Sequence, residues 1–135
     1  MRARLSVLLV EDSEDDALMI ARELKRAGYD VQWARVDGRE AMKASLAERR
    51  WDVIISDLSL PGFSGNDALK LLRATGSDAP FIVVSGAMGD DTAAAALKDG
   101  AQGYVVKTNL QLLAPVVQRE LRAVQERRQA RSADN

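Results

Sequence analysis

The chain contains neither histidine nor cysteine, so imidazole bases, thiolate nucleophiles, disulfides and zinc sites built on either residue are excluded. What remains for chemistry is a set of carboxylates, hydroxyls and one amine, each placed directly after a short apolar run. Glu11 and Asp12 follow Ser6 to Val10, Asp57 follows Val53 to Ile55, Ser85 follows Phe81 to Val84, and Lys107 follows Gly103 to Val106. Three crowded carboxylates repel one another, so either one of them binds a proton or a divalent cation sits among them. Mg²⁺ suits such a set, because it takes oxygen ligands and is usually held by one or two carboxylates plus a phosphate oxygen. A carboxylate oxygen left over can accept a phosphoryl group, a transfer that needs mainly positioning and charge neutralisation. Lys107 is a point charge for a phosphoryl oxygen, Ser85 a hydroxyl donor, and backbone N–H groups near Ser59 complete the set.

The apolar runs that carry these residues are short, β-branched and continuous, the pattern of strands buried on both faces. Between them lie helical patterns. Ala17, Leu18, Ile20, Ala21, Leu24 and Ala27 recur at helical spacing behind the N-cap candidate Ser13, with Glu14 to Asp16 complementing the helix dipole and Gly28 as the stop. A helix from about Gly38 to Arg49 carries Ala41, Met42, Ala44, Leu46 and Ala47 inward, and others span Asn66 to Ala74 and about Asp91 to Lys98. The last helix starts near Asn109 and reaches about Arg128, with Leu112, Leu113, Val116, Val117, Leu121 and Val124 as its stripe and Pro115 as a bend or restart. Asp30 to Val36 alternates and reads as a half-exposed edge strand. Strands alternating with helices predict an α/β fold, a doubly wound parallel sheet with helices on both faces, for which a flavodoxin-like (βα)5 order, 2-1-3-4-5, is expected. Its switch point brings Asp12 and Asp57 side by side.

At 135 residues and a net charge of −1, one domain is expected, without a global field to attract nucleic acid. The apolar opening is too short for a membrane span and lacks a cleavage pattern, so a cytoplasmic protein without membrane contact is expected. Residues 1–126 are read as the domain and 127–135 as a polar tail or linker remnant. Five arginines between Arg119 and Arg131 lack a recognition motif, so direct nucleic-acid binding is not expected. The end of the last helix reads as a dimerising coiled coil, a linker, or a solvated tail.

The segments LLVEDSEDD, SDLSLPGFSG and FIVVSGAMGDDTAAAALKDGAQGYVVK, with their spacing, resemble the receiver domains of two-component response regulators, of the chemotaxis-regulator type, from about Leu5 to Leu121. That resemblance implies Asp57 as phosphoacceptor, Asp12 as a direct Mg²⁺ ligand with Glu11 nearby or through water, and the Ser59 carbonyl as a further ligand. It also implies Ser85 as the switch hydroxyl, Lys107 as the family's lysine, and Tyr104 as the aromatic that moves inward on activation. Ser59 and Ala87 would line the site and tune hydrolysis. The implied partner is a histidine kinase or histidine phosphotransfer protein, and the implied output runs through the face of the fourth helix, fifth strand and fifth helix. A downstream protein, an output domain or a homodimer formed through that face or the last helix would read it. The domain would be a phosphoacceptor rather than an enzyme, self-catalysing at most its own phosphorylation and dephosphorylation.

The usual proline after the lysine is replaced by Thr108, so the loop either stays trans or stores strain. The Lys-Thr-Asn-Leu and Val-Ser-Gly-Ala runs resemble receivers of multidomain sensor kinases or cyclic-dinucleotide enzymes. Two other functions use related chemistry. An aspartate-nucleophile phosphatase would want a second aspartate where Ser59 stands, and a nucleotide binder would want a glycine-rich loop where Glu11 and Asp12 stand. A receiver acting only as an unphosphorylated interaction module is a third.

Overall fold

In the computed structural model, residues 3–86 and 90–133 are described. Five strands alternate with five helices: β1 (Ala3–Val10), α1 (Glu14–Arg26), β2 (Tyr29–Val36), α2 (Arg39–Glu48), β3 (Val53–Ser56), α3 (Gly65–Ala74), β4 (Phe81–Ser85), α4 (Asp90–Lys98), β5 (Gly103–Val106) and α5 (Leu113–Ala133). All strand pairs in the main sheet are parallel, in the order β2-β1-β3-β4-β5. This is the expected flavodoxin-like arrangement, with β2 at an edge.

Residue parity along the strands divides the core in two. Leu5, Val7 and Leu9 of β1 join Val53, Ile55, Ile82, Val84 and Val105 beneath α1 and α5. Leu8, Val10, Ile54, Phe81 and Val83 point the other way, against Met42 of α2 and Ala68, Leu69 and Leu72 of α3. Because both faces are covered, the three central strands carry continuous apolar runs, Val7–Val10, Val53–Ile55 and Phe81–Val84. The strands therefore fix which residues leave the core at their C-terminal ends.

Three sequence expectations need correction. First, α2 buries only Met42, with Leu46 half-buried, while Ala41, Ala44 and Ala47 are exposed. Alanine contributes little to either side of a helix, so a run of alanines does not define its inner face. Second, α5 does not start near Asn109. A 3₁₀ turn occupies Lys107–Leu112, and Asn109 departs from helical geometry at φ −128° and ψ 44°. That break shifts the phase, so the buried stripe begins at Leu113, and Leu112 is 52% exposed. Third, Pro115 neither bends nor restarts the helix, because it lies in the first turn of α5, where its missing N–H has no intrahelical partner to lose. The helix continues to Ala133. Among the described residues no peptide bond is cis, so the Lys107–Thr108 bond is trans.

Candidate functional site

The acidic residues are held by the sheet itself. Glu11 N–H donates to the Val36 carbonyl (2.9 Å) and Asp57 N–H to the Val10 carbonyl (2.8 Å), so the ladder on either side of β1 runs one step past the strands and fixes both backbones. Oxygens of Glu11, Asp12 and Asp57 lie within 4.8 Å of one another. The switch point thus brings together the carboxylates that the topology predicts.

Their environments differ. Glu11 is buried to 1% exposure, Asp57 is half-buried and Asp12 is exposed. Asp57 Oδ1 accepts from Leu58 N–H at 2.7 Å, which orients the carboxylate. Glu11 Oε1 accepts from Ser13 N–H at 3.1 Å. Glu11 Oε2 is buried and makes no directed hydrogen bond, although the Lys107 ammonium stands 2.9 Å away as an ion pair. Burial pushes the Glu11 carboxyl above the ordinary range, and the neighbouring Lys107 and the Ser13 N–H only partly offset this.

Lys107 follows the last residue of β5 and reaches back across the strand ends. Its Nζ lies 2.7 Å from Asp16 Oδ2, 2.9 Å from Glu11 Oε2 and 3.3 Å from Asp57 Oδ2. Burial alone would lower its pKa, but the close Asp16 carboxylate and the charges of Glu11 and Asp57 outweigh it and raise the pKa. The ammonium is therefore firmly charged. Ser85, 3% exposed, closes β4 and is registered against Val106, the residue before Lys107. Tyr104 is half-buried on β5, registered against Val83 and packed on the α2–α3 side of the sheet.

The loop after Asp57 is built to come close. Ser59–Leu60 and Phe63–Ser64 form a small antiparallel hairpin around a Pro61-Gly62 turn, and Gly62 adopts the positive φ of 69° that such a turn wants in its third position. Ser59 is registered against Ser64 there. Gly65 then opens α3 with its N–H donating to the Leu58 carbonyl at 2.7 Å. A Cβ at Gly65 would sit 3.1 Å from the Asp57 carbonyl oxygen and 3.2 Å from Leu58 Cα. Glycine lets the helix start against the backbone of Asp57 without displacing it. Ser56 Oγ, fully buried, donates to the same Asp57 carbonyl at 2.7 Å.

Glu11, Asp12, Asp57, Ser85 and Lys107 thus share one edge of the sheet. Ala87 lies outside the described residues. Two contributors escape the sequence reading. Asp16 already has a local explanation as a dipole partner of α1, and Gly65 one as a glycine of the turn that follows Pro61. The donor set fits a hard divalent cation, since it offers carboxylate oxygens from three residues, one of them a buried atom without a directed hydrogen bond. Among the described residues no helix is long and apolar enough to cross a membrane.

Comparison with known proteins agrees with this geometry. Residues 7–118 match the family model described as the response regulator receiver domain. The transcriptional regulatory protein PrrA of Mycobacterium tuberculosis is 38% identical over 101 residues, covering 75% of this chain and 42% of PrrA, so the chain spans less than half of that relative's length. The chemotaxis protein CheY of Thermotoga maritima is 33% identical over 102 residues, covering 75% of this chain and 83% of CheY. The solved structure of Vibrio cholerae CheY4 superposes with a TM-score of 0.71 at 33% identity, covering 88% of this chain and 98% of that one. Neither the phosphatase nor the nucleotide-binder reading is favoured. A carboxylate crevice at the switch point of a 2-1-3-4-5 sheet, a lysine reaching into it from the fifth strand and these likenesses together make the chain a member of the response regulator receiver domain family.

Proposed function

We propose that Asp57 is the phosphorylated residue, and that a histidine kinase or histidine phosphotransfer protein in the cytoplasm supplies the phosphoryl group. The observation that carries this reading is the convergence of Glu11, Asp12 and Lys107 on the one half-buried aspartate that ends a core strand. Glu11, Asp12, Asp57 and the Ser59 carbonyl would hold Mg²⁺, which when bound neutralises charge on the transferring phosphoryl oxygens. The Leu58 N–H keeps the Asp57 carboxylate in a fixed orientation. An Asp57 oxygen bonds to phosphorus as the phosphorus–nitrogen bond to the donor histidine breaks, and the imidazole leaves with the bonding pair. Lys107 meets the new negative charge with an ammonium already positioned 3.3 Å from Asp57 Oδ2.

Ser85 and Tyr104 are the switch residues in this reading. Ser85 sits beside the β5 residue that precedes Lys107, so a hydroxyl drawn toward a phosphoryl oxygen pulls on the strand that carries both Tyr104 and the lysine. The surface made by α4, β5 and α5 then changes its affinity for a downstream protein, an output domain or a second copy. Residues 1–126 form the receiver unit, which acts as a phosphoacceptor without turning over an external substrate.

Intact-protein mass after incubation with Mg²⁺ and a small phosphodonor tests the assignment. One phosphoryl group per chain is expected for the wild type, dependent on Mg²⁺, and none for Asp57→Asn. A wild type that stays unmodified with both the small donor and a phosphorylated histidine phosphotransfer protein would leave the domain as an interaction module.

A further inference from the structure

The chain contains two Ser-x-x-Asp helix starts, and they are used differently. At α3 the pair is reciprocal: Asp67 N–H donates to Ser64 Oγ (3.0 Å), and Ser64 N–H donates to Asp67 Oδ2 (3.1 Å). At α1 only half of the pattern forms. Asp16 N–H donates to Ser13 Oγ (3.2 Å), but Ser13 N–H goes to Glu11 Oε1 (3.1 Å) instead. With its capping partner taken, the Asp16 carboxylate turns to Lys107 and makes the shortest of that ammonium's three contacts, 2.7 Å against 2.9 Å to Glu11 and 3.3 Å to Asp57.

From this we infer that Asp16 is a positioning residue for Lys107: an α1 carboxylate diverted from its helix cap to hold the lysine beside Asp57 without letting it close onto that aspartate. An ammonium has three N–H bonds and here meets three carboxylates. A charge-assisted bond to Asp16 is the strongest competitor for it. While that bond holds, the contact to Asp57 stays the longest of the three, and the Asp57 oxygen keeps its lone pairs for phosphorus. During transfer Lys107 exchanges only this long contact for a phosphoryl oxygen and keeps its hydrogen bond to Asp16 and its ion pair with Glu11. Without Asp16 the lysine falls back on Asp57 and masks the nucleophile. The kinetic part of this inference rests on Asp57 being the acceptor, whereas the placement of the lysine does not.

The test uses wild type, Asp16→Asn and Asp16→Glu, with folding checked by the amide NMR spectrum. Two readouts are taken: the ¹H–¹⁵N resonance of the Lys107 ammonium with no donor present, assigned with Lys107→Arg, and the rate of phosphoryl uptake at saturating Mg²⁺ and donor. Asp16→Asn is expected to shift the ammonium resonance and slow uptake about tenfold, equivalent to about 1.4 kcal/mol. Asp16→Glu, which keeps the carboxylate, is expected to recover most of the rate. An unmoved resonance, an Asp16→Asn rate within about twofold of wild type on that same scale, or an Asp16→Glu no faster than Asp16→Asn would overturn the inference. A wild type that takes up no phosphoryl group defeats the acceptor reading instead, and the resonance then decides the role of Asp16 by itself.

Discussion

At the scale of single residues, the site depends on backbone proximity as much as on its charged groups. Gly65 is the sharpest case, since the atoms that a Cβ would crowd belong to the backbone of Asp57 and Leu58 and cannot rotate away. Gly65→Ala is expected to destabilise the domain by about 1–3 kcal/mol and to slow phosphoryl uptake at Asp57, because relief must come from moving the aspartate's own peptide. Urea denaturation and the mass assay on the same preparation check this, and unchanged values in both would show that α3 yields instead. The charged residues were legible in the sequence because each follows an apolar run whose end is abrupt. Gly65 and Asp16 were not. A glycine in a turn already has a local explanation, and so does an aspartate in the first turn of a helix. Their second roles depend on where Leu58 and Lys107 lie in space, which the local pattern does not encode.

At the scale of an element, α5 shows where hydrophobic periodicity stops being informative. Its buried stripe runs through Leu113, Val117 and Val124. Continuing at the same spacing gives Arg128 and Arg131, and both pair with Asp78 in the segment between α3 and β4, at 2.6 and 3.0 Å. The stripe persists as charge, so the last turns are fastened to the domain by ion pairs rather than by apolar burial. Apolar spacing alone leaves this stretch open between coiled coil, linker and tail. Hydrogen bonds from Arg128 hold the Asp78 carboxyl at about 2, below its ordinary 3.8. A depressed folded-state pKa contributes stability above the ordinary value and loses it as the pH falls toward the folded one. Helicity after Val124 should therefore exceed that of Asp78→Asn at neutral pH and converge with it between about pH 4 and 2. Residue-resolved hydrogen exchange at neutral pH and circular dichroism across the acid range measure the two halves of this expectation. Equal exchange in the two proteins would show that the arginines do not hold the helix.

At the scale of the whole molecule, the parallel sheet with helices on both faces was legible in the alternation, and the 2-1-3-4-5 order in the resemblance to receiver domains. That order is what assembles carboxylates distant in sequence. A cation that binds the assembled cluster and not the unfolded chain must stabilise the fold by mass action, by about 2.7 kcal/mol at a hundredfold excess over its dissociation constant. For a domain of this size that corresponds to a rise of about 10 °C in the melting temperature. Thermal melts over a Mg²⁺ series should show the rise in wild type and a much smaller one in Asp12→Asn. A flat series would remove the cation from the site.

The path of the chain through the sheet also sets an order of assembly. Glu11, Asp12 and Asp16 belong to the first β-α unit, Asp57 to the third, Ser85 ends the fourth strand, and the balancing ammonium arrives only with Lys107, just beyond a strand at the sheet's far edge. During synthesis the acids are therefore in place well before their counter-charge. A growing polypeptide thus lacks the balanced site until its fifth strand has been made and docked.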